Sequence, residues 1–445
     1  MNTLHEPARD VPVVHECDVC VIGGSCTGVF AAVRAARLGA RVVIVEKAGS
    51  FGGVATLSLV NVWHSPFDTT YRKQIIAGLT MEVIDRLRRR KAVTDRERSP
   101  HWAWAFNPQE LQIELDELIR EAGITPLLHT QFVAPHVVDG QLRAAIIENK
   151  SGRQAIRARL FIDASGDGDL CHRAGLVTYA VAHIQPSTTC AAISDYLVDG
   201  VQLDQVIREH AAEFDLPAGF AWGTAIPNSP VYMLAGTRVY DANAAEAEQL
   251  TFSEMEGRRQ VRAIMDLLRK YVPGWRGVLQ ALPARIGIRE TRHVRCQYQL
   301  TAADVLQGRQ FGDAIANGSY RVDVHHQDKP GITLKYLDGT QEYCCPGAPP
   351  VRSLWRPPEK VDPTFYQIPL RSIVPGTFPN LLLAGRMFDA EPEAHAAARV
   401  MVNMNQTGEA AGVAAWLALD SNTPVTTLAA ARVRSKLAAG GSIIL

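Results

Sequence analysis

The run VIGGSCTG at residues 21–28 constrains this chain more than any other stretch. It closes a short apolar segment, CDVCVIGG, and opens an alanine-rich one, GVFAAVRAARLGA, with apolar residues at helical spacing and Gly39 after its end. A second apolar run, RVVIVEK, follows. Strand, glycine turn, helix and strand make a βαβ unit. Strands that are apolar throughout belong in a parallel sheet covered on both faces. Gly23 and Gly28 stand at the first and last positions of the dinucleotide-binding spacing G-x-G-x-x-G, but Ser25 holds the middle one. Serine is small, and its hydroxyl offers a donor to a phosphate oxygen, so it weakens the motif without refuting it. Phosphates would sit at the helix N-terminus, where unpaired N–H groups and the dipole favour anions. Glu46 ends the second strand, where an acidic side chain accepts hydrogen bonds from both ribose hydroxyls. An acid there disfavours a 2′-phosphate, so NADP is not expected. The βαβ unit alone leaves NAD and FAD open.

With 445 residues the chain exceeds one ordinary core, and two domains are expected. Lysine plus arginine equals aspartate plus glutamate, at 46 each. This balance gives no global reason to bind nucleic acid or an anionic membrane. The opening MNTLHEPARDVPVVHE has no apolar core of a signal peptide, and no run is long enough to span a bilayer. The eight cysteines are scattered, which suggests reduced thiols and a cytoplasmic location. Cys17 and Cys20 form a CxxC, but on a strand residues three apart face opposite ways, so no joint redox or metal role is expected. Cys344 and Cys345 read as plain surface thiols. There is no G-x-S-x-G elbow, no H-E-x-x-H and no metal-spaced Cys/His cluster, so no metal is expected. Adjacent histidines do not easily share one ion, and His325-His326 is read as structural.

Further along, NPQELQIELDELIREA (107–122) reads as an amphipathic helix with Asn107 as cap, Pro108 at the first position and Gly123 beyond the end. A strand, ITPLLHT, follows, then short strands with turns at Asp139-Gly140 and Ser151-Gly152. Residues 180–360 are less periodic. The strand NLLLAGR and an alanine-rich helix at about 404–419 come last. The chain thus leaves a nucleotide-binding domain, builds a second one and comes back.

FGGVAT (51–56), FIDASGDGDL (161–170), RIGIRETRH (285–293), NLLLAGR (380–386) and RVMVNMNQTGEAAGVAA (399–415) occur in that order. From about residue 15 to 420 the chain resembles the FAD-dependent oxidoreductases of the glutathione-reductase superfamily. The closest group is the bacterial one related to fumarate reductase and succinate dehydrogenase flavoproteins. That family often carries serine at the Ser25 position. The resemblance implies an α/β fold: a Rossmann-like FAD-binding domain of the glutathione-reductase type, from residues 1–178 and 366–445, with an inserted mixed α+β substrate domain at 179–365. It implies FAD as cofactor.

By the same resemblance, Gly23, Gly24, Ser25, Cys26, Thr27 and Gly28 would turn around the pyrophosphate, with Glu46 and Lys47 toward the adenosine. Gly52, Gly53, Val54, Ala55 and Thr56 would lie along the pyrophosphate and flavin edge. Phe132 and Val133 would meet adenine through backbone groups. Ala164, Ser165, Gly166 and Asp167 would close over the adenosine half, and Gly385 and Arg386 belong to the returning strand. The last helix would aim its N-terminus at the flavin pyrimidine, which carries negative charge when reduced. That places Arg399, Asn403, Met404 and Asn405 near the ring.

Flavin carries out the electron transfer while the protein orients the substrate. Candidate catalytic residues are Arg289 and Arg292, His64 after the GGVAT loop, and His395 before the last helix. Arginine suits a carboxylate through bidentate contacts. Alternation along an extended RIGIRETRH divides Arg285, Arg289, Arg292 and His293 between two faces, and Glu290 offers an ion-pair partner instead. The expected activity is two-electron (hydride) oxidation or reduction of a small organic substrate at flavin N5. The substrate is expected to be carboxylate-bearing, with a separate electron acceptor or donor, and a homo-oligomer is compatible. The alternatives are a monooxygenase or halogenase using NAD(P)H and oxygen, or a flavin-binding electron-transfer or redox-sensor protein.

Overall fold

The computed structural model describes residues 2–94, 103–376 and 378–445. Its central sheet has seven strands. Val13–Ile22 lies in the middle, parallel to Val42–Val45 on one side and to Gly152–Asp163 on the other. Thr125–Leu127 extends the parallel set beyond Val42–Val45. The long strand Gly152–Asp163 forks: its first half pairs antiparallel with Gln141–Asn149, and its last residues pair parallel with Leu381–Leu383. Gln131–Val138 completes an antiparallel meander. The parallel strands are apolar because both faces are covered; Val42–Val45 is buried at every residue.

The helix Cys26–Arg37 follows the glycine turn and packs on Met401–Asp420. Small residues set that contact. A Cβ on Gly408 would lie 2.1 Å from the Thr27 carbonyl oxygen, and one on Gly412 2.2 Å from that of Ala31. The two backbones therefore touch, as small residues one turn apart permit. Sixteen of the twenty residues of Met401–Asp420 are buried, so this helix is covered on all sides rather than along one stripe. Buried Glu409 joins the pair by accepting from Arg34 Nε at 2.7 Å and from the Leu79 amide at 3.1 Å. The expected helix at 107–122 forms as Pro108–Glu121, with the Asn107 side chain accepting from the Gln109 amide at 3.0 Å. The alanine-rich helix begins at Met401, three residues before the expected 404, and it does not come last, because the helix Ala430–Ala439 follows it.

A second apolar core packs the helix Ala247–Tyr271 and Leu203–His210 against a four-stranded antiparallel sheet. That sheet runs in the order Trp222–Ala225, Val231–Ala235, Cys190–Ser194, Val278–Ala281. Another antiparallel sheet is formed by Val322–His325, Ile332–Lys335, Thr340–Cys344 and Val351–Leu354. The second core spans Ala191 to Trp275, whereas Val294, Leu300 and Ala314–Ala316 already pack into the first. Among the described residues no helix is long and apolar enough to cross a membrane.

Candidate functional site

A cavity of about 1250 Å³ runs from the glycine turn to the two four-stranded antiparallel sheets. Its first end is built from backbone. Gly23 has φ +106°, and a Cβ there would lie 2.3 Å from the Ala164 carbonyl oxygen. A Cβ on Gly28 would lie 2.0 Å from the Gly23 carbonyl oxygen, so the turn closes only without side chains. Ser25, at the middle position, is the N-cap of the helix: its hydroxyl accepts from the Gly28 amide at 3.4 Å. The amides of Cys26 and Thr27 open the helix without intrahelical acceptors, and both residues line the cavity. Gly52 bridges to Ser25, and its amide donates to the Gly24 carbonyl at 2.8 Å, fixing the second loop against the first.

Glu46 lines the cavity, but both its oxygens are engaged by backbone. Oε2 accepts from the Gly24 amide at 2.7 Å and Oε1 from the Ala48 amide at 2.8 Å. The carboxylate therefore ties the strand end to the turn, and only its remaining lone pairs are left for a ribose. Lys47, Gly53, Val54, Phe132, Ala164, Ser165 and Gly166 also line this end. Gly24, Gly28, Ala55, Thr56, Val133 and Asp167 stand behind the wall. Thr56 donates to the Phe51 carbonyl at 2.7 Å, and the Val133 carbonyl accepts from Arg173 at 2.8 Å, so that carbonyl is already occupied. Asp167 accepts from Thr291 at 2.8 Å and from Arg386 at 2.5 Å. Burial works against its charge, yet Arg386 and Lys47 nearby hold its carboxyl below the ordinary range. Arg386 and Gly385 line the cavity.

Midway, the helix Met401–Asp420 presents its first turn. Val400, Met401, Val402, Asn403, Met404 and Asn405 all line the cavity. The helix has no side-chain cap, so its opening amides are left for a ligand. Two helix N-termini thus meet one cavity, at residues 26 and 401. Asn403 donates to Tyr366 at 3.1 Å and Asn405 to Thr80 at 3.3 Å.

The far end is built from side chains. Arg238, Arg289, Arg321 and Arg399 gather around one buried carboxylate, Asp323. Arg399 lies 4.0 Å from Asp323 and donates to Gln185 at 3.1 Å. Arg289 donates to the Pro186 carbonyl at 2.5 Å, and Arg238 to the Phe220 carbonyl at 2.7 Å. Arg321 stacks over the Tyr320 ring at 5.1 Å. Among the described residues, no carboxylate lies within ion-pair distance of Arg238, Arg289 or Arg321. Burial, with Arg399 and Arg238 adding repulsion, lowers the Arg289 pKa to about 10. Tyr320 donates to Asp323 at 2.9 Å, and His325 Nε2 lies 3.4 Å from Asp323. His64 also lines this end, its ring 4.3 Å from that of Tyr320. Burial, then Arg321, pushes the His64 pKa down to about 3. Burial, then Arg289 and Arg399, takes His325 to about 4 against the pull of Asp323. Both imidazoles are neutral at pH 7.

The structure separates the four catalytic candidates. Arg289 and His64 reach the cavity; Arg292 and His395 do not. Arg292 turns away from the cavity and pairs with Asp169 at 3.0 Å. His395 is fully buried beside Glu290 and His293. Reading the sequence missed Arg238, Arg321, Asp323 and His325. A signal for the last three was present. In YRVDVHH, Arg321, Asp323 and His325 alternate, so an extended strand puts all three on one face and His326 on the other. His326 instead meets Thr333 at 2.7 Å. The Glu290, His293 and His395 trio was also missed, because its members are brought together from distant segments rather than by local spacing. Cys17 and Cys20 are buried thiols, with burial raising the Cys17 pKa to about 12.

Compared with known proteins, residues 18–437 match the family model described as FAD dependent oxidoreductase. A digeranylgeranylglycerophospholipid reductase from Methanospirillum hungatei is 27% identical over 226 residues, covering 46% of this chain and 52% of the relative. The chain therefore spans about half the length of that curated relative. A geranylgeranyl bacteriochlorophyll reductase-like structure from Thermoplasma acidophilum aligns over 96% of this chain and 83% of its own, with 12% identity and a TM-score of 0.49. A flavin-dependent brominase aligns over 96% and 84%, with 10% identity and a TM-score of 0.48. The family model covers nearly the whole chain, including both helix N-termini at the cavity and the arginines at its far end; the chain belongs to the FAD dependent oxidoreductase family, and it is an enzyme whose cofactor is FAD.

Proposed function

We propose that the enzyme exchanges two electrons, as hydride, with a small organic anion held at the arginine end of the cavity. In this reading residues 1–178 and 366–445 form a Rossmann-like FAD-binding domain of the glutathione-reductase type, and 179–365 carry the substrate side. The residues fit FAD. The turn at Gly23 to Gly28, closed by a glycine at each end, and the two helix starts at residues 26 and 401 offer backbone N–H groups to the pyrophosphate and to negative charge on the ring. When bound, FAD supplies the two-electron exchange.

The observation that carries the substrate class is the set of three guanidiniums, Arg238, Arg289 and Arg321, that line the cavity without a carboxylate partner. A buried charge left unpaired costs several kcal/mol. A ligand carboxylate or phosphate would remove that cost, and Arg321, stacked on Tyr320, presents its planar fork for bidentate contact. Asp323 and Gln185 hold Arg399, so it serves the same pocket from the flavin side. His64 and His325, held neutral among the cations, line the same end as weakly basic hydrogen-bonding groups, each with a buried Nδ1 that has no partner.

The test is anaerobic mixing of the FAD-loaded enzyme with small carboxylates and phosphates, each paired with a neutral amide or ester of the same skeleton. Bleaching of the visible flavin band by an anion, and not by its neutral partner, is the expected result. Equal bleaching by both members of a pair would overturn the anionic substrate. A protein that took up no FAD would overturn the whole reading.

A further inference from the structure

Glu290, His293 and His395 meet in the interior, each 2% exposed or less. Glu290 Oε1 lies 3.0 Å from His293 Nε2 and 3.3 Å from His395 Nδ1. The other nitrogen of each ring faces a backbone carbonyl. His293 Nδ1 is 3.0 Å from the Phe388 oxygen, and His395 Nε2 is 3.0 Å from the Arg386 oxygen. A carbonyl only accepts, so each of these outer nitrogens carries a proton. A neutral imidazole has one N–H. Each inner nitrogen therefore turns a lone pair, not a donor, toward Glu290 Oε1. Three lone-pair atoms converge with no donor among them, and His395 Nδ1 has no hydrogen-bond partner.

Such a convergence repels unless a cation lies within it. One extra proton on His293 would satisfy the shorter contact and leave His395 Nδ1 bare. A metal ion satisfies all three atoms at once. Metal–ligand bonds of about 2.0–2.2 Å at tetrahedral angles set neighbouring ligand atoms roughly 3.3 Å apart. The two separations from Glu290 Oε1, 3.0 and 3.3 Å, match that spacing, and all three atoms lie within 4.8 Å of one another, so closing on an ion asks only for a small approach of the two rings. Two histidines and a glutamate are a ligand set that zinc takes. The carbonyls on the outer nitrogens are the partners that fix ring tautomers in metal sites. Tyr179, stacked on His293 with centroids 5.2 Å apart, holds that ring further.

We propose that Glu290, His293 and His395 form a buried site for a divalent transition ion of the zinc class, outside the substrate cavity. The ion would pin the segment carrying Arg289 to the segment carrying Arg386 and Arg399. Glu290 Oε2 extends the tie by accepting from the Gln185 amide at 3.0 Å, and Gln185 in turn receives Arg399. The site does not depend on the proposed substrate or on the direction of the reaction.

The test is metal content. The FAD-loaded protein, freed of loosely bound ions by gel filtration, is expected to hold one zinc per chain by plasma mass spectrometry. After chelation it should take up one equivalent of added Zn²⁺. Zinc-edge X-ray absorption should show two imidazoles and a carboxylate. In His395→Gln, which keeps volume but loses the ligand, zinc affinity should fall about 100-fold. Wild-type protein that neither contains zinc nor binds it after chelation would overturn the proposal, leaving a proton as the shared cation. So would unchanged zinc binding in the variant, which marks adventitious metal. Should the variant not fold, the wild-type absorption spectrum decides, and a ligand set without two imidazoles overturns it.

Discussion

At the glycine turn the cavity wall is backbone, and at the arginine end it is side chains. The first end works by omission: Gly23 and Gly28 lack the Cβ atoms that would overlap carbonyl oxygens. Its polar side chains are already satisfied, with Glu46 and Ser25 bonded to amides, and only backbone N–H groups are left for a ligand. The second end works by excess, with four guanidiniums around one carboxylate. An end whose side chains are satisfied can be rigid before its ligand arrives. An end holding unpaired charge is destabilised until a ligand comes. The first arrangement suits a resident cofactor, and the second suits a substrate that binds and leaves.

Mutations should affect the two ends with opposite signs. The largest effect is expected from Gly28→Val, which drives atoms into the Gly23 carbonyl. Purified variant should carry no flavin, read as the flavin-to-protein absorbance ratio, and should melt earlier than wild type. Full flavin content would mean that the turn can open. Arg289→Ala should leave flavin content intact and raise KM for the anionic substrate about 10- to 100-fold, the scale of a charged hydrogen bond. The ligand-free variant should be as stable as wild type or more so, because a buried cation disfavoured by burial and by Arg399 and Arg238 has been removed. A large loss of thermal stability would show that Arg289 supports the fold instead.

The next effect is on pH dependence. The His64 and His325 pKa values, about 3 and about 4, lie below the ordinary 6.5. Between pH 6.5 and 4 the unfolded chain therefore takes up protons that the folded protein refuses. Their stabilising contribution is complete above pH 6.5 and declines as pH falls toward 4. Urea midpoints across that interval should fall less steeply for His64→Gln and His325→Gln than for wild type. Equal slopes would place these imidazoles in contact with solvent. The smallest effect is expected from Ser25→Ala, about 1 kcal/mol of stability through the lost cap, with Ser25→Gly costing only a few tenths. FAD affinity should change little in either. A marked loss of affinity in both would give the Ser25 hydroxyl a phosphate role beyond capping.

The same contrast explains what could be read from the chain. The glycine turn, the apolar strands and the capped helix at 108–121 obey short-range rules, so residues 21–46 and 107–121 gave their structure directly. The substrate end is assembled from Arg238, Arg289, residues 321–325 and Arg399, which no local rule connects. Its one legible trace, the alternation of Arg321, Asp323 and His325, lay in a segment read as structural because the adjacent histidines drew attention away from the alternating charges. For the RIGIRETRH segment, Arg289 and Arg292 do part company, but 288–292 form no strand and His293 turns to Glu290 rather than to the face of Arg289, so alternation was only a partial guide. Glu290 and His395 lie more than a hundred residues apart in sequence, and only the folded core brings them together.

The backbone contact at Gly408 and Gly412 sets the order of events during synthesis. The cavity needs helix starts from both ends of the chain, and the buried Arg34 to Glu409 tie spans 375 residues. At about 5–20 residues per second, roughly 20–75 s separate the emergence of the two partners from the ribosome. During that interval the glycine turn exists without the helix that covers it. Nascent chains should therefore fail to retain FAD, and cofactor capture becomes one of the last events of maturation, sensitive to flavin supply at the moment of release.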